Sequence, residues 1–311
     1  MRAWVLDEVH GSLREADVAR PVPAAGQVLV RVKASGLCHS DVGYMEGVIP
    51  LSIPLPVILG HEVSGVIEEV GPGVEGWQVG DAVASAISPD DAPGVSRDGA
   101  YAEFILVTAS KLVKLPDGMD WAQAAAATDA GLTSYTGVAV FGDVKEGDRV
   151  GIVGLGGLGM TGARIAVVLG AEVYGVEPRE SLWQQARDNG LTDVFADVTE
   201  LQGLDLDVII DFAGFGSTTS GAIKAVKDRG RVVLVGLGKS EWTLNSIDLV
   251  SRAIDLQGAT VAGNPEHLQA VLDLVASGQV AVKSEAISFD QIPEGLTRLA
   301  AGGVDGRLVA T

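Results

Sequence analysis

Cys38 and His61 have the residue types and the setting to hold a metal ion. The cysteine lies in Gly36-Leu37-Cys38-His39-Ser40-Asp41 and the histidine in Gly60-His61-Glu62, both in glycine-flanked turns. A thiolate, an imidazole and one carboxylate would give zinc three protein ligands and leave a fourth position open, as a catalytic zinc requires. Taken singly, a cysteine or a histidine is more often a packing residue. Their joint occurrence in turns of a β-rich segment, ahead of a glycine loop of the nucleotide-binding kind, favours chemistry.

That loop is Gly154-Leu155-Gly156-Gly157-Leu158-Gly159. In a chain with 41 glycines the pattern alone is weak, so its flanks decide. A β-like run at 150–153 leads in and a helix-compatible stretch at 160–169 leads out, the context in which G-x-G-x-x-G binds a dinucleotide. Gly154 would permit the tight turn, Gly156 the approach of the pyrophosphate, and Gly159 the packing of helix on strand. The helix N-terminus would offer free N–H groups to the phosphates. The next strand ends at Glu177, where a carboxylate can accept hydrogen bonds from the adenosine ribose and repel the 2′-phosphate of NADP, so NAD is favoured. Arg179, just beyond the strand, leaves NADP open, since an arginine there can bind that phosphate.

Two kinds of scaffold must position these groups. In the first third, residues 28–34 alternate at period two and Glu62–Val70 is a second β-branched run. Glycine- and proline-rich turns at 21–23, 71–80 and 89–99 separate such segments, the texture of a compact irregular barrel. Residues 121–128 are alanine-rich and predicted helical, with Asp120 as N-cap. Beyond Arg149, short apolar strands at 150–153, Glu172–Val176, 208–212 and 232–235 alternate with helices starting near Gly157, Arg179 and Ser217. This alternation predicts a parallel sheet with helices on both faces. Pro265–Ala276 is predicted helical.

Composition narrows the function classes. A chain of 311 residues, 47% hydrophobic and 20% charged, is long enough for two domains. Its net charge of −19 argues against nucleic acid and anionic membrane surfaces as partners. Charges or glycines interrupt every apolar run before membrane-spanning length, and acidic residues follow the first few positions, so a cytoplasmic protein is expected. Cys38 is the single cysteine, which excludes an internal disulfide and a four-cysteine zinc site.

The segments 36–41, 60–62, Gly-Asp-Ala-Val (80–83), Asp-Ala-Gly-Leu-Thr-Ser-Tyr (129–135), 154–159 and the tail Gly-Arg-Leu-Val (306–309) resemble, in order and spacing, the zinc-containing alcohol dehydrogenases of the medium-chain dehydrogenase/reductase superfamily. The resemblance implies a GroES-like β-barrel catalytic domain at 1–129 and 263–311, with a Rossmann domain at 130–262. It implies one catalytic zinc on Cys38, His61 and Asp129; many members have a second cysteine at the third position. Glu62 would approach the metal during exchange of bound water or substrate, and Asp41 would orient His61 through its other ring nitrogen. His39 would face the cofactor pyrophosphate, and Ser40 would hydrogen-bond the substrate oxygen and carry its proton away. The expected reaction passes a hydride between an alcohol, or an aldehyde or ketone, and a nicotinamide cofactor. The expected assembly is a homodimer or homotetramer formed through the sheet edge at 253–261.

Two departures from the family pattern stand out. Residues 89–99, where members commonly insert a structural-zinc lobe, are few and lack cysteine, so no structural zinc is expected. Gly43 occupies the position where many members end a proton relay with histidine. Apart from these, Ile87 stands where relatives often place a pocket-lining aromatic, which suggests room for more than a very small alcohol. The rival readings are a zinc-free quinone or enoyl reductase, which has no use for Cys38, His61 and Asp129 together, and a non-catalytic dinucleotide-binding protein, against which Ser40 and Glu62 speak.

Overall fold

The protein is described here by a computed structural model covering residues 1–88, 91–261 and 263–311. It divides into two compact units, Met1–Leu132 with Val261–Thr311, and Thr133–Thr260. The upper limit expected for the central domain, residue 262, and the first two residues of the 89–99 segment lie outside the described residues.

The first unit is organised on the strand Gln27–Leu37, which pairs antiparallel with Glu62–Val70, Phe104–Thr108 and Arg307–Ala310. The sheet continues outward to Ser284–Ile287 on one side and to Ala82–Ser85 and Leu112–Lys114 on the other. A second, three-stranded sheet joins Arg14–Asp17, Arg2–Leu6 and Val57–Ile58. The register between Gln27–Leu37 and Glu62–Val70 shifts at Leu29/Val30 and at Val32/Ala34. Such irregularities bend a strand and let one sheet curl, which suits a barrel. Leu37, Leu59, Tyr101, Ile292, Leu296 and Leu308 form part of one buried core. In the described part of the 89–99 segment, the Arg97 guanidinium pairs with Asp91 and donates to the Leu106 carbonyl at 3.1 Å.

The second unit is a six-stranded parallel sheet in the order Asp193–Phe195, Glu172–Val176, Arg149–Val153, Leu206–Asp211, Val226–Leu234 and Asp255–Gly258. Its central strands are valine- and isoleucine-rich and buried, as a sheet covered on both faces demands. Helices Gly157–Val168 and Ser217–Ala225 follow strands one and four of this unit. The doubly wound order is the one that places a ligand crevice at the strand ends where the winding reverses. One strand differs from expectation: it begins at Val226, six residues before 232, because Arg229 takes a left-handed φ of 62° and lets the chain rejoin the sheet after an irregular stretch. No helix of the described residues is long and apolar enough to cross a membrane.

Candidate functional site

The strand Gln27–Leu37 runs directly into Cys38, which caps the short helix His39–Met45. Cys38 Sγ accepts from Ser40 N at 3.5 Å, and the Asp41 carboxylate reaches back to accept from Cys38 N at 3.0 Å. This reciprocal cap fixes the thiol where extended chain turns helical. His61 follows Gly60, whose φ of +96° suits glycine, and whose missing Cβ would lie 2.6 Å from the Tyr101 ring. Asp129 arrives from a third direction. Helix Trp121–Ala126, capped by Asp120 through Gln123 N, passes into a wider π-helical stretch, Ala127–Gly131. The sequence predicted one regular helix through 128; the widened turns instead carry Asp129, in keeping with the concentration of such bulges at functional sites.

The ligand-type atoms of Cys38, His61, Glu62 and Asp129 all lie within 4.8 Å of one another, and Cys38, His61 and Glu62 are buried. His61 stands between two carboxylates, with Nδ1 3.2 Å from Asp41 Oδ1 and Nε2 3.7 Å from Asp129 Oδ2. Asp129 Oδ2 is also 3.4 Å from Cys38 Sγ. Ser40 Oγ lies 3.6 Å from the same sulfur, and His39 begins the helix on its exposed side. Among the site residues the sequence singled out, Cys38, Ser40, Asp41, His61, Glu62 and Asp129 therefore form one cluster.

Two members of the cluster were not anticipated. Arg307, almost fully buried, sits with Nε 2.8 Å from Glu62 Oε1 and donates from Nη2 to Asp129 Oδ2 at 2.8 Å. Its segment was visible as a family tail, but nothing local marks an arginine for burial. The fully buried Tyr101 donates from its hydroxyl to Asp41 Oδ2 at 2.8 Å. Tyr44, half-buried on the Cys38 helix, has its phenol pushed up by burial and lies within the fields of His61, Asp41, Cys38 and Asp129.

The electrostatics describe a site rich in negative donors. Burial drives the Glu62 carboxyl well above its usual range; Arg307 opposes this, while Asp129 and Cys38 reinforce it. For Asp129, burial is outweighed by the bond to His61 and the charge of Arg307, and its carboxyl falls well below the ordinary value. Burial lowers His61, but the Asp41 charge and the bonds to Asp129, Asp41 and Cys38 lift it well above normal. Carboxyl groups and a thiol crowded into a desolvated space are costly in their charged forms unless a cation accompanies them. Arg307 supplies one positive charge from one side of the cluster. Cys38, His61 and Asp129 offer sulfur, nitrogen and oxygen donors suited to a second.

The glycine loop is built differently. Gly154, with φ +84°, turns the chain after Arg149–Val153, and Gly156 stands at the N-cap of helix Gly157–Val168 with no side chain to cap its first N–H groups. A Cβ on Gly156 would meet nothing within 4 Å, so the backbone is open to a phosphate; on Gly159 it would lie 1.7 Å from the Gly154 carbonyl oxygen. Gly157 and Leu158 open the helix, and the Leu158 carbonyl accepts from Ser134 Oγ at 2.8 Å. Glu177 is buried at the end of Glu172–Val176 and accepts from Leu155 N at 3.1 Å, tying the loop to the neighbouring strand. Arg179 clamps the same carboxylate, with Nε 2.8 Å from Oε1 and Nη2 3.1 Å from Oε2.

Comparison with known proteins agrees with both regions. Residues 24–117 match the alcohol dehydrogenase GroES-like domain, and residues 157–277 match the zinc-binding dehydrogenase family. An alcohol dehydrogenase of Geobacillus stearothermophilus is 33% identical over 339 residues, covering 99% of each chain. An NAD-dependent alcohol dehydrogenase of Sulfurisphaera tokodaii is 31% identical over 90% of each. The solved structure of acetophenone reductase from Geotrichum candidum in complex with NAD superposes with a TM-score of 0.90 at 31% identity, covering 100% of this chain and 96% of that one. The barrel, the doubly wound sheet and the likeness along nearly the whole chain have one consequence: this protein belongs to the zinc-containing alcohol dehydrogenases of the medium-chain dehydrogenase/reductase superfamily.

Proposed function

We propose that the chain holds one catalytic zinc on Cys38, His61 and Asp129 and oxidises alcohols, or reduces the matching aldehydes and ketones, with NAD. The observation that carries this reading is the meeting of four metal-binding side chains within 4.8 Å, drawn from three separate stretches of sequence. The donor set fits zinc: one thiolate, one imidazole and one carboxylate, with a position left for substrate. When bound, the metal acts as a Lewis acid that eases loss of the hydroxyl proton, and the nicotinamide takes up the hydride.

The chain's own residues do the rest. Asp41 aligns the His61 ring through Nδ1. Ser40, beside the Cys38 sulfur, is placed to accept a hydrogen bond from the substrate hydroxyl and pass its proton on. Glu62, beside Arg307, keeps a second carboxyl group next to the ligand set, from which it can approach the metal during exchange of bound water or substrate. The N–H groups that open helix Gly157–Val168 suit the pyrophosphate.

NAD is favoured over NADP by Glu177, which is buried at the end of Glu172–Val176 and already occupies the guanidinium of Arg179. The names of the Sulfurisphaera tokodaii relative and of the acetophenone reductase complex support the same choice. Association of copies through the edge strand Asp255–Gly258 is supported by its pairing, among the described residues, with Val226–Leu234 alone, and by the exposed Leu237, Ile247 and Val250 in the same unit.

The test couples metal analysis to alcohol-dependent NADH formation across primary, secondary and aromatic alcohols. One zinc per chain with turnover is expected. Turnover in a zinc-free chain would favour a metal-independent reductase, and zinc with no turnover on any alcohol or carbonyl would sink the activity.

A further inference from the structure

We propose that Tyr101 is a positioning residue of the zinc site: its hydroxyl locks the Asp41 carboxylate, and Asp41 in turn holds both the Cys38 turn and the His61 ring. The inference rests on reading Cys38 and His61 as zinc ligands and adds to it how their spacing is kept.

Asp41 is fully buried and is the hub of four contacts. Its Oδ2 accepts from Cys38 N at 3.0 Å and from the Tyr101 hydroxyl at 2.8 Å. Its Oδ1 accepts from Gly60 N at 3.4 Å and lies 3.2 Å from His61 Nδ1. One carboxylate therefore touches the backbone of one ligand, the ring of another and the residue preceding that ring. A carboxylate joined to Cβ by a single bond can swing about that bond. A strong phenolic donor on one oxygen fixes the plane, and with it the direction in which the other oxygen meets His61.

Tyr101 is suited to this work because it does not depend on Asp41 for its own position. Its backbone N–H donates to the Leu59 carbonyl at 3.0 Å, its carbonyl accepts from Trp4 N at 2.8 Å, and Ala100 N donates to Gly60 O at 2.8 Å. The ring lies flush against Gly60, where any Cβ would clash with Cδ1 at 2.6 Å. The tyrosine thus presses on the residue before His61 through its ring and on Asp41 through its hydroxyl. A hydroxyl that served only to satisfy a buried acceptor would stabilise the chain with or without metal. A positioning hydroxyl acts on the metal.

The experiment uses the full-length chain loaded with zinc: wild type, Tyr101→Phe, Asp41→Asn and the double variant. Zinc content is measured first, then the rate of zinc loss to excess chelator, and the visible spectrum of each chain with cobalt in place of zinc. Thermal unfolding of the metal-free chains reports the purely structural contribution. Wild type should hold one zinc. Tyr101→Phe should shed it about tenfold faster and alter the cobalt bands, in line with the ~10–100-fold effects of groups that orient metal ligands. Asp41→Asn should shed it faster still, and the double variant no faster than Asp41→Asn alone. A zinc-free wild type would overturn the ligand assignment itself. A zinc-bound wild type whose Tyr101→Phe variant keeps the same release rate and cobalt spectrum would overturn only the role of Tyr101, as would fully additive rates in the double variant. Should Tyr101→Phe not fold, wild-type chain made with 3-fluorotyrosine replaces it. The Tyr101 fluorine resonance is the one that survives when Tyr44, Tyr135 and Tyr174 are each changed to Phe. It should move between metal-free and zinc-loaded chain, and a stationary resonance would end the proposal.

Discussion

The metal-type cluster and the glycine loop solve opposite problems. The cluster collects side chains from positions 38, 61, 129 and 307, and its geometry depends on charges that constrain one another in a buried space. The loop is six consecutive residues whose useful atoms are backbone N–H groups, and its geometry depends on side chains being absent. A site of the first kind fails when a charge is left without its counterpart. A site of the second kind fails when an atom is added.

The largest effect should come from unbalancing the cluster. Asp129→Ala removes a proposed ligand atom, a neighbour of His61 and a partner of Arg307 at once, leaving the buried guanidinium with Glu62 as its remaining ion-pair partner. Zinc should be lost on dialysis and turnover should fall to background. Asp129→Cys should keep zinc, because a thiolate restores both the donor and the negative charge. Metal content and NADH formation in the two variants decide this; an active, fully loaded Asp129→Ala chain would remove Asp129 from the ligand set.

In the loop, two similar substitutions should part ways. Gly159→Ala drives a methyl into the Gly154 carbonyl, and overpacking of that kind costs roughly 1–3 kcal/mol or more. Gly156→Ala meets nothing in the protein, so its thermal midpoint should stay near wild type while dinucleotide affinity drops. Calorimetric unfolding and NADH titration separate the two. Equal loss of stability in both variants would mean that the loop glycines serve packing alone.

Glu177 lies between these regimes, a charged side chain fastened to the loop through Leu155 N. Glu177→Ser should lower kcat/KM for NAD and raise it for NADP by freeing Arg179; unchanged preference would show that the carboxylate does not read the ribose. Burial raises its pKa, but the bonds from Arg179 and Leu155 outweigh that and hold it below the ordinary value. A carboxyl depressed in the folded state contributes stability above its unfolded pKa of ~4.3, and that contribution disappears as pH falls through the folded value. Glu177→Gln should therefore flatten part of the acid limb of stability against pH, as followed by unfolding midpoints below pH 5.

The same contrast explains what could be read in advance. The loop was legible because its residues are contiguous and its flanks declare strand and helix, and its glycines fell where expected. The cluster was legible only through motif resemblance, since nothing in spacing alone joins Asp129 to Cys38. Arg307 and Tyr101 escaped because their roles come from long-range pairing. Arg307 follows from the strand Arg307–Ala310 lying beside Gln27–Leu37, and Tyr101 from chain running beside Leu59 and Gly60. The widened helix at Ala127–Gly131 escaped because an alanine-rich run specifies helix without specifying its pitch.

The smallest effect concerns the exit of the proton and falls at Gly43. In the helix His39–Met45, position 43 lies three residues after Ser40 and so on an adjoining face, where a histidine could accept a proton that Ser40 passes on. As glycine it offers none, and we predict that water completes the relay. The structure adds a complication to installing the base. A Cβ at 43 would lie 2.7 Å from Ile49 Cδ1 and 2.9 Å from its Cγ1, and Val48 N and Ile49 N both donate to the Gly43 carbonyl. Both close atoms belong to the Ile49 side chain beyond Cβ, so the clash is relieved by pairing Gly43→His with Ile49→Ala, using Gly43→Ala with Ile49→Ala as control. An imidazole with a pKa near 6.5 would act mainly on the acid side of the optimum. Alcohol oxidation there should rise by less than about tenfold, well under the ~10²–10⁴ of a base acting on the reacting bond itself, because water already serves. Ser40→Ala should lower turnover at every pH and abolish any benefit from the added histidine. The measurement is a pH–rate profile under conditions where chemistry limits turnover, with zinc content verified in each variant. A histidine variant whose profile coincides with the alanine control would mean that proton exit does not pass position 43, and a gain that survives Ser40→Ala would mean that Ser40 is not the link before it.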